Sequence, residues 1–243
     1  ISVVLGPGLN IKRHPLCGRN FEYLSEDPLL AGHLAAAMVE GIQSQGVGAC
    51  LKHFAVNNQE SHRFVVDAVV DERTLREIYL AGFEHAVLTS RPRTVMAAYN
   101  LVNGTYCCEH DYLLNTVLRQ EWGFDGLVMS DWGATNDRVA GVRAGMDLEM
   151  PGNNGVFDSA VAVAVDEGAL SQKELATCAQ RVLDLVADSP AAPAAPADFD
   201  AHDALARRAA AESTVLLTND GLLPLAGGES VAVIGAFAEQ PRY

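Results

Sequence analysis

Residues 126–134 read GLVMSDWGA, bringing Ser130, Asp131 and Trp132 directly after four apolar residues that have no helical period and suit a strand buried on both faces. An ionised carboxylate there needs partners or water. Asp131 therefore has two readings: the cap of a helix opening near Ala134, or a reacting group at the carboxyl end of a barrel strand, where barrel enzymes keep their chemistry. Other polar groups recur at comparable places: Lys52 and His53 near the end of VGACLKHFA, Tyr99 and Asn100 after TVMAA, Glu149 in MDLEM, and the polar stretch 8–19 after SVVL. Lys52 on its own is also a candidate Schiff-base amine for a lyase or aldolase.

The elements that must position these groups alternate. SVVL, 47–55, 94–98, 126–130 and 146–150 read as strands; 28–46, 71–89, 111–122, 137–144, 157–168 and 172–186 read as helices. Strand and helix in turn predict a parallel α/β architecture. Polar residues after several different strands favour a (β/α)8 TIM-type barrel over a doubly wound sheet, which concentrates ligand groups at one switch point. Five or six of eight strands are recognisable, so the barrel is expected to lack its amino-terminal strands. Residues 10–27 and 56–63 are irregular loops. After Asp188 the composition shifts to SPAAPAAPA, a semi-rigid Pro/Ala spacer. A helix over 202–217, a turn at Asn219-Asp220-Gly221 and a strand over 230–234 then follow. The expected division is a partial catalytic barrel over 1–187, a linker over 188–200, and over 201–243 the beginning of another domain.

With 243 residues, 49% hydrophobic and 20% charged, the chain can bury a substantial core. Its net charge of −14, from 17 basic and 31 acidic residues, argues against nucleic acid or an anionic membrane as partner and leaves a neutral ligand as the simpler expectation. No apolar run reaches the ~18 residues a membrane helix needs. Cys17, Cys50, Cys107, Cys108 and Cys178 are odd in number and lack zinc-type spacing. They are expected to be free buried thiols, pointing to a cytoplasmic rather than a secreted protein, with no metal and no cofactor. Asn103-Gly104-Thr105 matches a glycosylation acceptor, a pattern too common to carry weight.

The series GPGLNIKRHPLCGRNFEYLSEDP, CLKHFAVNNQE, VVDERTLREIYLAGFE, VMAAYNLVNG, GFDGLVMSDWGA and AGMDLEMPG resembles the glycoside hydrolase family 3 β-glucosidases. The later ARRAAAESTVLLTNDGLLPL and SVAVIGAFA resemble the entry to that family's α/β-sandwich domain. The resemblance implies retaining hydrolysis of a β-linked sugar, most simply glucose, from a non-reducing end. Asp131 then corresponds to the nucleophile that forms a covalent glycosyl-enzyme, with a second carboxyl about 5–5.5 Å away to protonate the leaving group. Arg19, Lys52 and His53 correspond to groups holding sugar hydroxyls; Met96 and Tyr99 line the same subsite; Trp132 corresponds to an indole platform for the neighbouring sugar or aglycone. Glu149 and Asp147 match barrel architecture rather than catalysis.

The same resemblance places an acid/base glutamate in the sandwich domain and a sugar-binding aspartate ahead of the first recognised strand, neither of which these residues include. The chain by itself is accordingly expected to be poorly active. Two alternatives remain. Glu60-Ser61-His62 is similar to an acid pair in the N-acetylglucosaminidase branch, with His62 as acid, although Val56-Asn57-Asn58 replaces that branch's Gly-His-Gly. A non-catalytic sugar-binding barrel is the other.

Overall fold

The computed structural model describes residues 1–189 and 196–241. Most of the Pro/Ala spacer thus lies outside the described residues. The chain divides into two compact units, Ile1–Ala194 and Ala195–Tyr243.

In the first unit, strands β1 (Val3–Val4), β2 (Gly48–Phe54), β4 (Thr94–Ala97) and β7 (Leu127–Ser130) form one parallel sheet in the order β1-β2-β4-β7. Spatial order follows chain order with no reversal. That is the winding of a barrel wall, since a doubly wound sheet reverses direction at its switch point. The crossovers are helices: α1 (Pro28–Gln43), then α2 (Glu72–Thr74) running through a π-helical turn, Leu75–Leu80, into α3 (Ala81–Ser90), then a π-helix, Tyr112–Glu121. Three further helices follow: α4 (Arg138–Ala144), α5 (Asp158–Asp166) and α6 (Gln172–Ala187). Strands β3 (Asp67–Ala68), β5 (Leu101–Val102) and β6 (Thr105–Tyr106) make a small separate sheet.

The sheet sorts its side chains by strand alternation. Ala49, Leu51, Val95, Ala97 and Val128 join the main core with Val39 of α1 and Phe83 and Val87 of α3, whereas Cys50, Met96, Leu127 and Met129 form a sulfur-rich cluster apart from it. Two residues beyond Met129, Asp131 projects on the same face, with its backbone N–H still laddered to Ala97 O at 3.1 Å. Gly126 permits the approach of β7, because a Cβ there would stand 2.3 Å from the Arg93 carbonyl.

Several expectations need correction. The segment 146–150 is not a strand; only the bridge between Met129 and Leu148 continues the sheet. Its backbone bonds to that of β7 only through Asp147 N and Leu148 N to Val128 O and Ser130 N to Leu148 O, and Asp147 adds a fully buried carboxylate that accepts from Arg119 Nη2 at 2.8 Å, Arg181 Nη1 at 2.9 Å and Val128 N at 2.8 Å. The helix expected over 137–144 is present as Arg138–Ala144, capped by Asp137 through Ala140 N at 3.0 Å, so no helix opens at Ala134 for Asp131 to cap. Asn103 and Gly104, both at positive φ, turn β5 into β6, the conformation an Asn-Gly hairpin favours.

The second unit contains α7 (Phe199–Ser213), capped by Asp198, and α8 (Ala236–Glu239). Residues 230–234, expected as a strand, pair with no strand among the described residues and leave Val231, Val233 and Ile234 exposed. Extended backbone becomes a strand only when a neighbour takes its hydrogen bonds.

Removing Asp147 would leave two guanidinium groups facing each other without a counter-charge. Asp147→Ala is expected to destabilise the first unit by about 3–5 kcal/mol in urea unfolding, and Arg181→Ala by only about 1–2 kcal/mol, since Asp147 would keep Arg119 and the Val128 N–H.

Candidate active site

Asp131 does not cap a helix. Its Oδ1 accepts from the N–H of Trp132 at 2.7 Å, its carbonyl accepts from Ala134 N at 3.1 Å, and its Oδ2 lies 3.4 Å from His53 Nε2 with no other partner. Gly133, at φ +78°, turns the chain away and donates to Met150 O at 2.8 Å. Burial raises the Asp131 carboxyl above its ordinary range, against the opposing pull of the Trp132 N–H, Tyr99, Arg19 and Arg63.

His53 is held by an amide latch. Asn10 Nδ2 donates to His53 O at 2.9 Å and Asn10 Oδ1 accepts from His53 N at 2.7 Å, tying the polar loop after β1 to the end of β2. The Tyr23 hydroxyl lies 3.2 Å from His53 Nδ1 and accepts from Asn57 Nδ2 at 3.0 Å. Burial lowers the imidazole to about 2, helped by the charges of Arg19, Lys52 and Arg63. The Tyr23 hydroxyl also reaches Asn57 O at 3.3 Å, and the neutral ring turns Nε2 toward Asp131.

A charged belt surrounds the pair. Glu22 joins Arg19 Nε at 2.6 Å to Lys52 Nζ at 3.0 Å. Glu60 joins Arg63 Nη1 at 2.7 Å to Arg19 Nη1 at 3.8 Å, and also accepts from Asn57 at 3.3 Å. Three cations, Arg19, Lys52 and Arg63, thus face three carboxylates, Glu22, Glu60 and Asp131, and the cluster is neutral when Asp131 is ionised. The Tyr99 hydroxyl donates to Trp132 O at 2.9 Å, and its ring lies under Arg63, 4.3 Å from the guanidinium carbon. Burial and the charge of Asp131 push the phenol up to about 12.

Arg19, Lys52, His53, Tyr99 and Trp132 are brought together around Asp131. Met96 does not join the charged belt; it belongs to the cluster of Cys50, Leu127 and Met129. His62 is exposed, and Glu60 pairs with Arg63, so the acid pair considered for His62 is not formed. Lys52 is committed to Glu22 and not presented as a free amine. Glu149 is engaged by Asn153 at 2.8 Å. Asn10, Glu22, Tyr23, Asn57 and Arg63 carry no site role in the sequence reading, and Glu60 enters it only as the partner of His62. The one available signal was Glu22 three residues after Arg19 in CGRNFE. All five cysteines are buried free thiols, and among the described residues no cluster of three or more His, Cys, Asp or Glu is arranged for a metal.

Residues 1–185 match the model of the glycosyl hydrolase family 3 N-terminal domain. The chain belongs to glycosyl hydrolase family 3. It is 57% identical over 246 residues to thermostable β-glucosidase B of Acetivibrio thermocellus, covering 100% of this chain and 33% of that protein. It is 50% identical over 256 residues to an exo-α-(1→6)-L-arabinopyranosidase of Bifidobacterium longum, covering 100% of this chain and 34% of that protein. The crystal structure of a Bifidobacterium adolescentis family 3 β-glucosidase superposes with a TM-score of 0.94 at 50% identity, covering 100% of this chain and 36% of that one. The chain thus spans about a third of the length of these family 3 relatives, and its sheet is a section of their TIM-like first domain.

The low folded value of His53 has a definite sign. Unfolded, the ring takes a proton near its ordinary 6.5; folded, it does not until about 2. Its contribution is complete above pH 6.5 and is lost as pH falls below that, by about 1.4 kcal/mol per unit. Asp131, raised on folding, acts oppositely: its contribution is present at low pH and lost as pH rises through its folded value. Between pH 6.5 and 5 the native protein is therefore expected to lose about 2 kcal/mol more stability than His53→Gln, read as the difference in urea midpoints at the two pH values.

Proposed function

We propose that this chain is the nucleophile-bearing part of a retaining β-glucosidase, in which Asp131 attacks the anomeric carbon of a β-linked glucose at a non-reducing end. One observation carries the reading: Asp131 Oδ2 is left without a hydrogen-bond partner in a belt where every other carboxylate is ion-paired. A carboxylate solvated less than its neighbours is the more nucleophilic one, and the belt's cations keep it ionised. Arg19 and Lys52 are charged donors suited to sugar hydroxyls, and His53, neutral, can orient the carboxylate without protonating it.

The attack forms a glycosyl ester on Asp131, and water later releases the sugar. A proton for the departing oxygen must come from a further carboxyl, because Glu22 and Glu60 are both spent on cations. In this reading the donor is a glutamate of the sandwich domain whose entry the second unit represents. The free thiols agree with a reducing, cytoplasmic setting.

A second sugar is favoured by one specific finding, the 50% identity to an exo-α-(1→6)-L-arabinopyranosidase. An α-L-arabinopyranoside carries the same equatorial anomeric bond but reverses the 4-hydroxyl and lacks the hydroxymethyl group. Comparing kcat/KM for the two nitrophenyl glycosides in the full-length protein separates the readings; a preference for the arabinopyranoside would reverse the sugar assignment.

A 2-deoxy-2-fluoro β-glucoside with a good leaving group is expected to label the full-length protein covalently at Asp131, and Asp131→Asn to lower turnover by roughly three orders of magnitude or more with the fold intact. Peptide mapping that finds the label elsewhere, or an active Asn variant, would refute the assignment.

A further inference from the structure

The first unit leaves three Phe and Trp side chains open to solvent: Phe21 at 85%, Phe64 at 50% and Trp132 at 38% exposure. All three stand on segments that follow sheet strands at their carboxyl ends, after β1, β2 and β7 respectively. Phe64 differs from an ordinary surface ring in being fixed. Its ring meets that of Tyr99 edge-on at 4.5 Å between centroids, and the guanidinium carbon of Arg63 lies 5.3 Å from it. Its turn is tied down by Arg63 to Glu60 at 2.7 Å and by the N–H groups of Val65 and Val66, both donating to His62 O at 2.9 Å. Tyr99 in turn donates to the carbonyl of Trp132, the residue after Asp131.

The site is therefore graded by depth. The hydroxyl-binding cations lie low, with the Arg19 and Lys52 side chains each only 16% exposed, while the half-exposed rings of Phe64 and Trp132 stand outward. A glycoside bound with its sugar among the cations directs its aglycone outward. A pinned aromatic ring offers a planar apolar group contact at little ordering cost.

We propose that Phe64, fixed against Tyr99, is a wall of the aglycone subsite and selects planar, aryl leaving groups over small alkyl ones. The proposal rests on the β-glycosidase reading above. Phe64 touches the departing group, not the reacting atoms, so its removal alters aglycone preference and leaves the sugar chemistry unchanged.

The test uses the full-length enzyme and its Phe64→Ala and Phe64→Tyr variants, with 4-nitrophenyl β-glucoside and methyl β-glucoside as substrates. Phe64→Ala is expected to lower kcat/KM for the aryl glucoside roughly tenfold, through KM, and to change that for the methyl glucoside less than about twofold, while Phe64→Tyr keeps the aryl preference. An equal fall for both substrates would show that Phe64 only supports Tyr99, and no change for either would show that another part of the enzyme covers it; each overturns the proposal. Labelling by the 2-fluoro glucoside at Asp131 is measured alongside. Wild-type enzyme that fails to label there sinks the underlying reading, whereas normal labelling with unchanged aglycone preference sinks only the role of Phe64.

Discussion

A carboxylate at the end of a buried strand must be kept charged without being fully satisfied. Water is largely excluded around Asp131, so its charge costs free energy unless donors and cations replace the solvent. Complete replacement would make a closed salt bridge like those of Glu22 and Glu60. The balance struck is partial: one oxygen takes the Trp132 N–H, the other only faces a neutral imidazole at 3.4 Å, and the cations act at a distance because they are bound to Glu22 and Glu60. The Asn10 latch, the Tyr23 and Asn57 contacts to His53 and the belt itself all serve that balance.

Asp147 shows the opposite solution on a neighbouring segment. It accepts from two arginines and the backbone of β7 and is wholly buried. Both aspartates sit beside the same strand, and both follow short apolar runs in the sequence. What separates them is partner count: three donors make Asp147 an anchor, whereas Asp131 keeps one oxygen without a hydrogen-bond partner.

Much of this could be read from the chain because strand ends repeat. The alternation of strand and helix, and Lys52, His53, Tyr99 and Asp131 each closing an apolar run, were legible because buried strands have a recognisable composition. The family resemblance supplied the rest of the expected site, including Arg19. The polar groups that finish the belt were not legible. Asn10, Glu22, Tyr23, Glu60 and Arg63 come from irregular loops with no period, and their contacts are made across tens of residues. Met96, in register with Met129, lies on the face of the sheet from which Asp131 projects and packs with Cys50 and Leu127. The segments 146–150 and 230–234 had strand composition, but a strand is a relation to a neighbour: one of them makes a single bridge, the other none among the described residues.

The equal count of three cations and three carboxylates has a consequence for how a ligand arrives. A cluster whose charges cancel produces a field that decays over a few ångströms, so it cannot draw molecules from bulk solution even though the whole chain carries a net charge of −14. A ligand without charge loses nothing by this. It enters by unbiased diffusion at a rate indifferent to ionic strength, and meets strong local dipoles only on contact. An anionic ligand meets the repulsion of an acidic chain with no compensating pull from the cluster.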